Sequence, residues 1–455
     1  MLKLAFSLKK SMLRKTDAVF LAIFIVIVFS TYMLILNRFP LLYGIDGPYY
    51  LIQLEYIARY GRMKYADPPL AFYLFYLFTL IFGDPTFSIR LALSLTIALS
   101  AIPLYLMLRI HGFNTVSIFL TMFIYYFSTG LLRLTGDFLK NATGLIFVTL
   151  TILFTSMYVK RGGKIYLVLA LASVALAGLT HILDFGLSLS YLILYPLLGL
   201  KTEDKSRCYK LIFAGVAFTV ALVLAGLALY PDFFADVFKG EALVKEIVEM
   251  ERTEFEAFLR NKFILSFLPA DFACLAFIIY YAYKGKLNDI PNLALLASSL
   301  AIGLGLTLPI IPTNFLWRFA LVQFYPGSIV IGGIFSRLRV EKALALTLLV
   351  IVASPYVIDF YFGRNMVRPI ISMKDYHDLE RLISQVPEGS TVIAMTHAFY
   401  WVEYIALKKN IDVIRGGKKI EPQPALYFIV ETTRMKKPPP GKIVASYGRF
   451  ILIKR

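Results

Sequence analysis

Long apolar segments recur along the chain up to residue 361, and short stretches that carry most of the charge separate them. A helix needs about 20 predominantly apolar residues to cross a bilayer. Eleven blocks approach or reach that length, so the pattern predicts eleven spanning helices. The blocks are 18–36, 87–109, 115–132, 142–159, 165–181, 185–200, 211–230, 263–283, 291–310, 316–335 and 343–361.

A further apolar block, from Pro69 to Phe82, is shorter and is predicted to enter the membrane without crossing it. With this block half-inserted, four basic loops lie on the same side as the basic N-terminus. Lys and Arg in short loops mark the cytoplasmic side, so loops 37–86 and 231–262 are predicted to lie outside the cell. The four basic loops begin at Lys160, Lys201, Lys284 and Arg337.

Residues 362–455 differ from the rest of the chain and predict a small α/β domain. Asp375–Gln385 has the spacing of an amphipathic helix, and short apolar runs bounded by Gly, Pro and Lys are typical of strands. After an odd number of crossings this domain lies on the extracytoplasmic face. The sequence therefore predicts a membrane module, 1–361, followed by an outer domain, 362–455.

Composition supports a multi-pass protein of the cell membrane. Hydrophobic residues make up 58% of the chain and charged residues only 17%, against roughly 25% charged residues in soluble domains. This balance excludes a soluble enzyme, and the two cysteines, Cys208 and Cys274, exclude a disulfide framework. The net charge of +18 suggests nucleic acid at first. Its excess lies largely in the N-terminal segment and the cytoplasmic loops, with the rest in the basic outer domain, so no nucleic-acid partner is predicted.

The polar residues of interest gather at the predicted outer face. Asp46 follows the first span, and Tyr49 and Tyr50 follow it closely. A carboxylate at the boundary between water and lipid can become a general base, and Arg and Lys side chains hold anions such as phosphate. The remaining candidates are Arg90, Arg133, Asp137, Lys140, His181, Asp184, Arg318 and Gln323.

Each candidate has a structural alternative when it is taken singly. Asp46 on its own is also consistent with a solvated carboxylate in a loop. Arg90 is also consistent with a snorkelling side chain, and His181 with an interior histidine whose hydrogen bonds are satisfied. The alternative function is a transporter or lipid flippase, for which inverted repeats and helices broken at the midplane are expected. The sequence shows no such repeat. A membrane subunit without activity would leave Asp46 and Arg318 unexplained.

Residues 40–95 contain three distinctive features: Asp46 after the first span, the Asp-Pro-Pro-Leu-Ala-Phe-Tyr segment 67–73, and the Gly-Asp segment 82–91 that ends in Arg90-Leu91. Together they resemble the polytopic GT-C glycosyltransferases, in particular the branch with protein mannosyltransferases and aminoarabinose transferases. The resemblance implies a GT-C-like fold and a sugar taken from a polyprenyl-phosphate carrier on the outer face. It also implies that Asp46 is the catalytic base.

The expected reaction is an inverting transfer to a hydroxyl group of a lipid-linked glycan, a glycolipid or a protein. From the topology alone, Lys140 and Arg318 are expected to stabilise the leaving phosphate, and Asp137 to orient the acceptor or a metal. The motif is Asp46-Gly-Pro instead of paired acids, and a lone carboxylate holds a divalent cation poorly. Dependence on Mg²⁺ or Mn²⁺ therefore stays open. The Trp-Trp-Asp motif of oligosaccharyltransferases is absent from the sequence, which disfavours transfer of a whole glycan to Asn.

Overall fold

A computed structural model describes residues 15–229, 261–290, 292–308, 313–337, 342–416, 426–433 and 439–455. Nearly all of the predicted outer loop 231–262 lies outside these described residues. The helices before that loop are α1 (Lys15–Leu36), α2 (Gly47–Tyr60), α3 (Leu70–Phe82), α4 (Pro85–Leu99), α5 (Ala101–Ile110), α6 (Thr115–Tyr126), α7 (Thr129–Asp137), α8 (Leu139–Arg161), α9 (Lys164–Thr180), α10 (Ile182–Leu198) and α11 (Lys205–Leu229).

The helices after that loop include the last apolar segments and two helices that belong to the C-terminal part. They are α12 (Lys262–Leu265), α13 (Leu268–Tyr283), α14 (Leu293–Leu306), α15 (Thr313–Leu321), α16 (Phe324–Phe335), α17 (Lys342–Gly363), α18 (Met373–Ser384) and α19 (Phe399–Leu407), with 3₁₀ turns at Leu287–Asp289 and Arg364–Met366.

Each block predicted to cross the membrane coincides with one helix or with two consecutive helices. Within the described residues, six helical stretches are long and apolar enough to cross a bilayer by length and composition. Shorter apolar helices include α3, which is the segment predicted to be half-inserted. The predicted mostly helical fold with a small C-terminal sheet is confirmed, and the count of eleven crossings stays a prediction.

Small polar residues and glycines shape the helical bundle. Ser128 is the N-cap of α7, which follows a short break after α6. Its side chain accepts a hydrogen bond from the backbone N–H of Leu131 at 3.2 Å. A Cβ atom at Gly332 of α16 would lie 1.8 Å from Oγ1 of Thr121 on α6. Only glycine permits this approach, which follows the general rule that small residues allow close packing of apolar helices.

The C-terminal sheet has five strands in the order β2-β1-β3-β5-β4. β1 pairs in parallel with β2 and β3, and β5 pairs antiparallel with β3 and β4. β4 was not predicted, because its side chains are mostly exposed and do not form a buried apolar run. The strands are β1 (Thr391–Met395), β2 (Asp412–Arg415), β3 (Leu426–Glu431), β4 (Lys442–Tyr447) and β5 (Phe450–Lys454).

The chain forms two compact units that interleave in sequence. The helical unit comprises the described parts of Met1–Met33, Ala66–Ala71 and Leu93–Met366. The sheet unit comprises the described parts of Leu34–Tyr65, Phe72–Ala92 and Val367–Arg455. Most of the first predicted outer loop therefore packs in the same unit as the C-terminal sheet, although it lies more than 270 positions before it in sequence. The predicted domain boundary after residue 361 remains a proposal.

Candidate functional site

Lys140 is the central cation among the candidates in the helical unit. It lies in the first turn of α8, and its Nζ forms an ion pair with Oδ2 of Asp67. The two side chains are only 15% and 11% exposed. Asp67 belongs to the Asp-Pro-Pro segment and is not among the site residues predicted from the sequence. Its place at the start of that motif was the signal that could have identified it.

Asp184 is a fully buried carboxylate beside the same face of α8. A Cβ atom at Gly144 would lie 2.1 Å from Oδ2 of Asp184, so only glycine leaves room for this side chain. Gly144 follows Lys140 by four residues, and residues at this spacing are neighbours on a helix surface. Neither carboxylate oxygen of Asp184 has a hydrogen-bond partner among the described residues. Lys140 is the cation that acts on this carboxylate electrostatically.

His181 and Arg318 complete this group. The Nδ1 atom of His181 accepts a hydrogen bond from the backbone N–H of Leu183 at 3.1 Å and so caps α10. His181 lies within electrostatic range of both Lys140 and Arg318. Two cations, Lys140 and Arg318, therefore act near the first turns of α8 and α10. Helix N-termini themselves favour anions. The arrangement is chemically suited to hold a phosphate.

Aromatic rings flank the guanidinium group of Arg318. Its Cζ atom lies 5.5 Å from the ring centroid of Trp317 and 5.8 Å from that of Phe138. These two rings also pack against each other, with centroids 5.4 Å apart. Contacts of this type hold an Arg side chain without consuming its N–H donors.

Arg133 and Asp137 form a separate local pair. The Nε atom of Arg133 lies 2.6 Å from Oδ2 of Asp137, one turn further along α7. An ion pair at this spacing follows from helix geometry alone. The structure thus joins two of the predicted residues to each other.

Gln323 is paired with a residue that the sequence analysis missed. Its Nε2 atom donates a hydrogen bond of 2.8 Å to Oδ2 of Asp271, and both side chains are buried. A Cβ atom at Gly303 would lie 3.0 Å from Nε2 of Gln323, so a glycine on α14 accommodates the pair. Asp271 is an acidic residue inside an apolar block, and such residues are functional candidates by default. That signal was present in the sequence.

Asp46 lies in the sheet unit at the N-terminal boundary of α2. Pro48 occupies the first turn of this helix, where a missing N–H costs nothing. The carboxylate of Asp46 does not cap the helix, and the residue is half-buried. Two residues earlier, the backbone N–H of Gly44 donates to the carbonyl oxygen of Arg368 at 3.2 Å.

Tyr49 and Tyr50 pack within the sheet unit. The ring of Tyr49 stacks on Tyr65 with centroids 5.5 Å apart and meets the edge of Tyr400 at 5.4 Å. The ring of Tyr50, which is 2% exposed, lies 5.4 Å from that of Phe72. Both tyrosines therefore help to fix the helix that follows Asp46.

The side chain of Arg90 holds the first loop by binding the backbone carbonyl groups of that loop. Its Nη2 atom donates to the carbonyl oxygens of Phe39, Pro40 and Leu41 at 2.7, 3.1 and 2.9 Å. The residue is 6% exposed, so these contacts satisfy a buried cation, as burial of a charge requires. Nearby, burial raises the pKa of the Tyr43 hydroxyl, while the positive charge of Arg90 acts in the opposite direction.

The predicted site residues thus fall into two groups, one in each unit. Asp46, Tyr49, Tyr50 and Arg90 belong to the sheet unit, and the other predicted residues belong to the helical unit. Within the described residues, no three or more His, Cys, Asp or Glu side chains converge as metal ligands would. Dependence on Mg²⁺ or Mn²⁺, which the sequence leaves open, stays open.

Comparison with known proteins supports the resemblance seen in the sequence. Residues 66–229 match the sequence model of the dolichyl-phosphate-mannose-protein mannosyltransferase family. No curated protein matches the chain.

Solved structures show the same fold over almost the whole chain. The crystal structure of ArnT from Cupriavidus metallidurans bound to undecaprenyl phosphate is similar with a TM-score of 0.59 and 14% identity, and the alignment covers 97% of this chain and 98% of that chain. The apo state of ArnT from the same organism gives a TM-score of 0.57 at 13% identity, with the same coverage.

A third structure shares the fold over a smaller part of its own length. The arabinofuranosyltransferase AftD from Mycobacteria is similar with a TM-score of 0.52 and 14% identity, over 82% of this chain and 29% of that chain. The chain therefore has the fold of the GT-C glycosyltransferases and carries, over residues 66–229, the sequence features of their dolichyl-phosphate-mannose-protein mannosyltransferase family.

Proposed function

We propose that this protein is an inverting membrane glycosyltransferase that moves a sugar from a polyprenyl-phosphate carrier to a hydroxyl group. The observation that carries the proposal is the structural likeness, over nearly the full length of both chains, to ArnT bound to undecaprenyl phosphate. The match of residues 66–229 to a family named for a lipid-phosphate sugar donor supports the same donor class.

In the proposed reaction, Asp46 takes the proton from the acceptor hydroxyl. The oxygen then attacks the anomeric carbon, and the bond between that carbon and the carrier's phosphate oxygen breaks. The electron pair of that bond leaves with the phosphate. Because the oxygen attacks from the face opposite the phosphate, the configuration at the anomeric carbon inverts. The transition state resembles an oxocarbenium ion, as in other glycosyl transfers. A positioned general base contributes about 10²- to 10⁴-fold to such a rate.

The group around Lys140 is our candidate for the phosphate site. Lys140 and Arg318 both act on His181, and the first turns of α8 and α10 add donors and partial positive charge. A phosphate that enters this site would compete with Asp67 for Lys140, so carrier binding would exchange one partly buried ion pair for another. Charge that develops on the leaving phosphate is then stabilised by groups already in place.

The other predicted residues have supporting roles in this proposal. Asp137, oriented by Arg133, is our candidate for holding the acceptor. Arg90, Tyr49 and Tyr50 keep the segment around Asp46 in place. Further candidates on the substrate side are His181, Asp184 and Gln323.

We further propose that the reaction takes place at the outer face, with the N-terminus in the cytoplasm and residues 362–455 outside. The distribution of Lys and Arg between the loops supports this orientation. The proposed acceptor is a lipid-linked glycan, a glycolipid or a protein that presents a hydroxyl group at that face.

The test uses the full-length protein in nanodiscs with radiolabelled polyprenyl-phosphate mannose and polyprenyl-phosphate arabinose, together with lipid and protein acceptors from membranes. The wild type is expected to transfer label, and Asp46→Asn to lose about 10²- to 10⁴-fold of the rate. Glu380→Gln, in the same unit, is the matched control, because Glu380 pairs with His377 in an exposed contact between neighbouring helical turns. Wild-type transfer by Asp46→Asn would show that another group is the base.

A further inference from the structure

We propose that Glu403, in helix α19 of the C-terminal residues, is a positioning residue that fixes the helix carrying Asp46. The inference rests on the proposed function for its link to catalysis, and on contacts within the sheet unit for its structural part. It gives the C-terminal sheet a defined role in the reaction, since α19 lies between its first two strands in sequence.

Glu403 is a buried carboxylate that receives two donors from the first loop. Its side chain is 1% exposed, and Oε1 lies 2.6 Å from Nζ of Lys64. The same oxygen accepts a hydrogen bond from the hydroxyl group of Tyr65. Burial, and then the hydrogen bond and negative charge of Glu403, raise the pKa of Tyr65, so this hydroxyl remains a donor. A buried charge needs such partners, because it is otherwise costly.

The turn that presents these donors is itself tightly defined. Gly61 ends α2 in the left-handed conformation, with φ of 70°. Gln53 then ties the turn back to the helix, because its Oε1 accepts from the backbone N–H groups of Lys64 and Tyr65 at 2.8 and 3.2 Å, while its Nε2 donates to the carbonyl oxygen of Tyr65 at 3.0 Å. Movement of residues 64–65 is therefore transmitted to α2.

Two more contacts join α2 to α19. The Nη1 atom of Arg59 donates to the carbonyl oxygen of Leu407 at 3.1 Å, across 348 positions of sequence. In the first turn of α2, the ring of Tyr49 meets that of Tyr400 on α19 at 5.4 Å. Contacts with α19 therefore hold both the first and the last turn of α2.

The segment before α2 is held by a different part of the same unit. Gly44 forms its backbone hydrogen bond with Arg368, and Nη2 of Arg38 donates to the carbonyl oxygen of Val367 at 3.1 Å. Asp46 lies between these attachments of residues 38–44 and the attachment of residues 64–65 to Glu403. Loss of the Glu403 attachment frees the turn that Gln53 ties to α2. The contacts of Arg59 and Tyr49 with α19 remain, but α2 is held less firmly and the carboxylate of Asp46 gains freedom. A displacement of 1 Å at a reacting group can cost about 10²-fold in rate.

The experiment measures hydrogen exchange and transfer kinetics on the full-length protein in nanodiscs, for Glu403→Gln and Glu403→Ala. Exchange in residues 47–65 is expected to rise, most in the alanine variant, while exchange in β1 stays at the wild-type level. The value of kcat is expected to fall about 10- to 100-fold, with KM for the carrier-linked sugar within about twofold. Glu380→Gln is the matched control, because Glu380 is an exposed acid on α18 paired with His377.

A double-mutant cycle with Lys64→Met separates positioning from a general loss of stability. If Glu403 acts through Lys64, the fall in kcat for Lys64→Met/Glu403→Gln is much smaller than the product of the two single effects. Unchanged exchange in 47–65 would overturn the proposal, and so would raised exchange with wild-type kcat. A wild type that transfers no sugar would overturn the proposed function instead, and the exchange data would then decide the structural part independently.

Discussion

The two groups of candidate residues differ in what holds them. In the helical unit, Lys140 and Asp67 form a partly buried ion pair, and Asp184 is a fully buried carboxylate on which Lys140 acts electrostatically. In the sheet unit, the segment around Asp46 is held chiefly through its backbone. Arg90 binds three consecutive carbonyl groups there, and Gly44 pairs with Arg368.

This difference predicts different sensitivities. Removing one partner of a buried ion pair leaves the other charge uncompensated, which costs far more than the pair contributes. Backbone attachments tolerate changes in the side chains of the segment they hold, because the carbonyl and amide groups remain. The helical group should therefore respond sharply to single changes of charge and size, and residues 39–44 more gradually. The pair of the buried Glu403 with Lys64 belongs to the first kind, although it lies in the sheet unit.

The largest effect on stability is expected for Lys140→Met. This change removes the ion-pair partner of Asp67, so the free energy of unfolding should fall by about 3 kcal/mol. Thermal unfolding of the purified protein in detergent measures this loss. Arg133→Met is the control, because its pair with Asp137 lies within one helix and is 36% and 21% exposed. Such pairs contribute about 0.5 kcal/mol, and equal losses in the two variants would contradict the distinction.

Gly144→Ala tests the fit of Asp184 against α8. The added Cβ would lie 2.1 Å from the carboxylate, so α8 and α10 must separate or Asp184 must move. Overpacking of this kind costs about 1–3 kcal/mol. The control is Gly186→Ala on α10, where a Cβ has nothing within 4 Å. There the higher helix propensity of alanine should stabilise the protein by about 0.5–1 kcal/mol, so the two variants are expected to shift the melting temperature in opposite directions.

The smallest effect is expected in the sheet unit on acidification. Glu431 is partly desolvated, which alone would raise its pKa, but hydrogen bonds from His397 and Thr396 and the charge of Arg449 hold the pKa below its ordinary value. The pKa of Asp375 is likewise lowered by Ser372 and Arg449 against the effect of burial. A carboxylate with a depressed folded-state pKa stabilises the fold above its unfolded pKa, near 4, and loses that contribution as the pH falls through the folded value.

Hydrogen exchange of β3 between pH 7 and pH 3.5, corrected for the intrinsic rate, measures this loss. Protection should be constant down to about pH 5 and decline below it. Glu431→Gln should begin with lower protection and show a shallower decline, since one of the two titrating carboxylates is gone. An identical acid profile in the variant would contradict the assignment to Glu431.

The helices were predictable because their signal is local. Apolar runs long enough for a bilayer appear in the sequence as composition, and each predicted block coincides with helix in the structure. The Asp-Pro-Pro and Gly-Asp motifs pointed to the family, because they are short and contiguous. Even the local pair of Arg133 and Asp137 follows from a spacing of four residues.

The partners of the candidate residues were not predictable in the same way. Nothing in the sequence relates Lys140 to Asp67, 73 positions away, or Gln323 to Asp271, 52 positions away. These pairs arise where helices that are distant in sequence pack together, and a pattern along one chain carries no information about which faces meet. Gly144 illustrates the point, because only the position of Asp184 shows why glycine is needed there.

The sequence alone thus determined the class of protein, the positions of its apolar helices, the small C-terminal sheet domain and the importance of Asp46 as a candidate base. The tertiary structure decided how the first loop is held. Arg90 binds the carbonyl groups of that loop, and Glu403 binds Lys64 and Tyr65 from the far end of the chain. The physical reason is that hydropathy and helix propensity are properties of neighbouring residues, whereas satisfying a buried charge or a loop's backbone groups requires partners that only folding brings together.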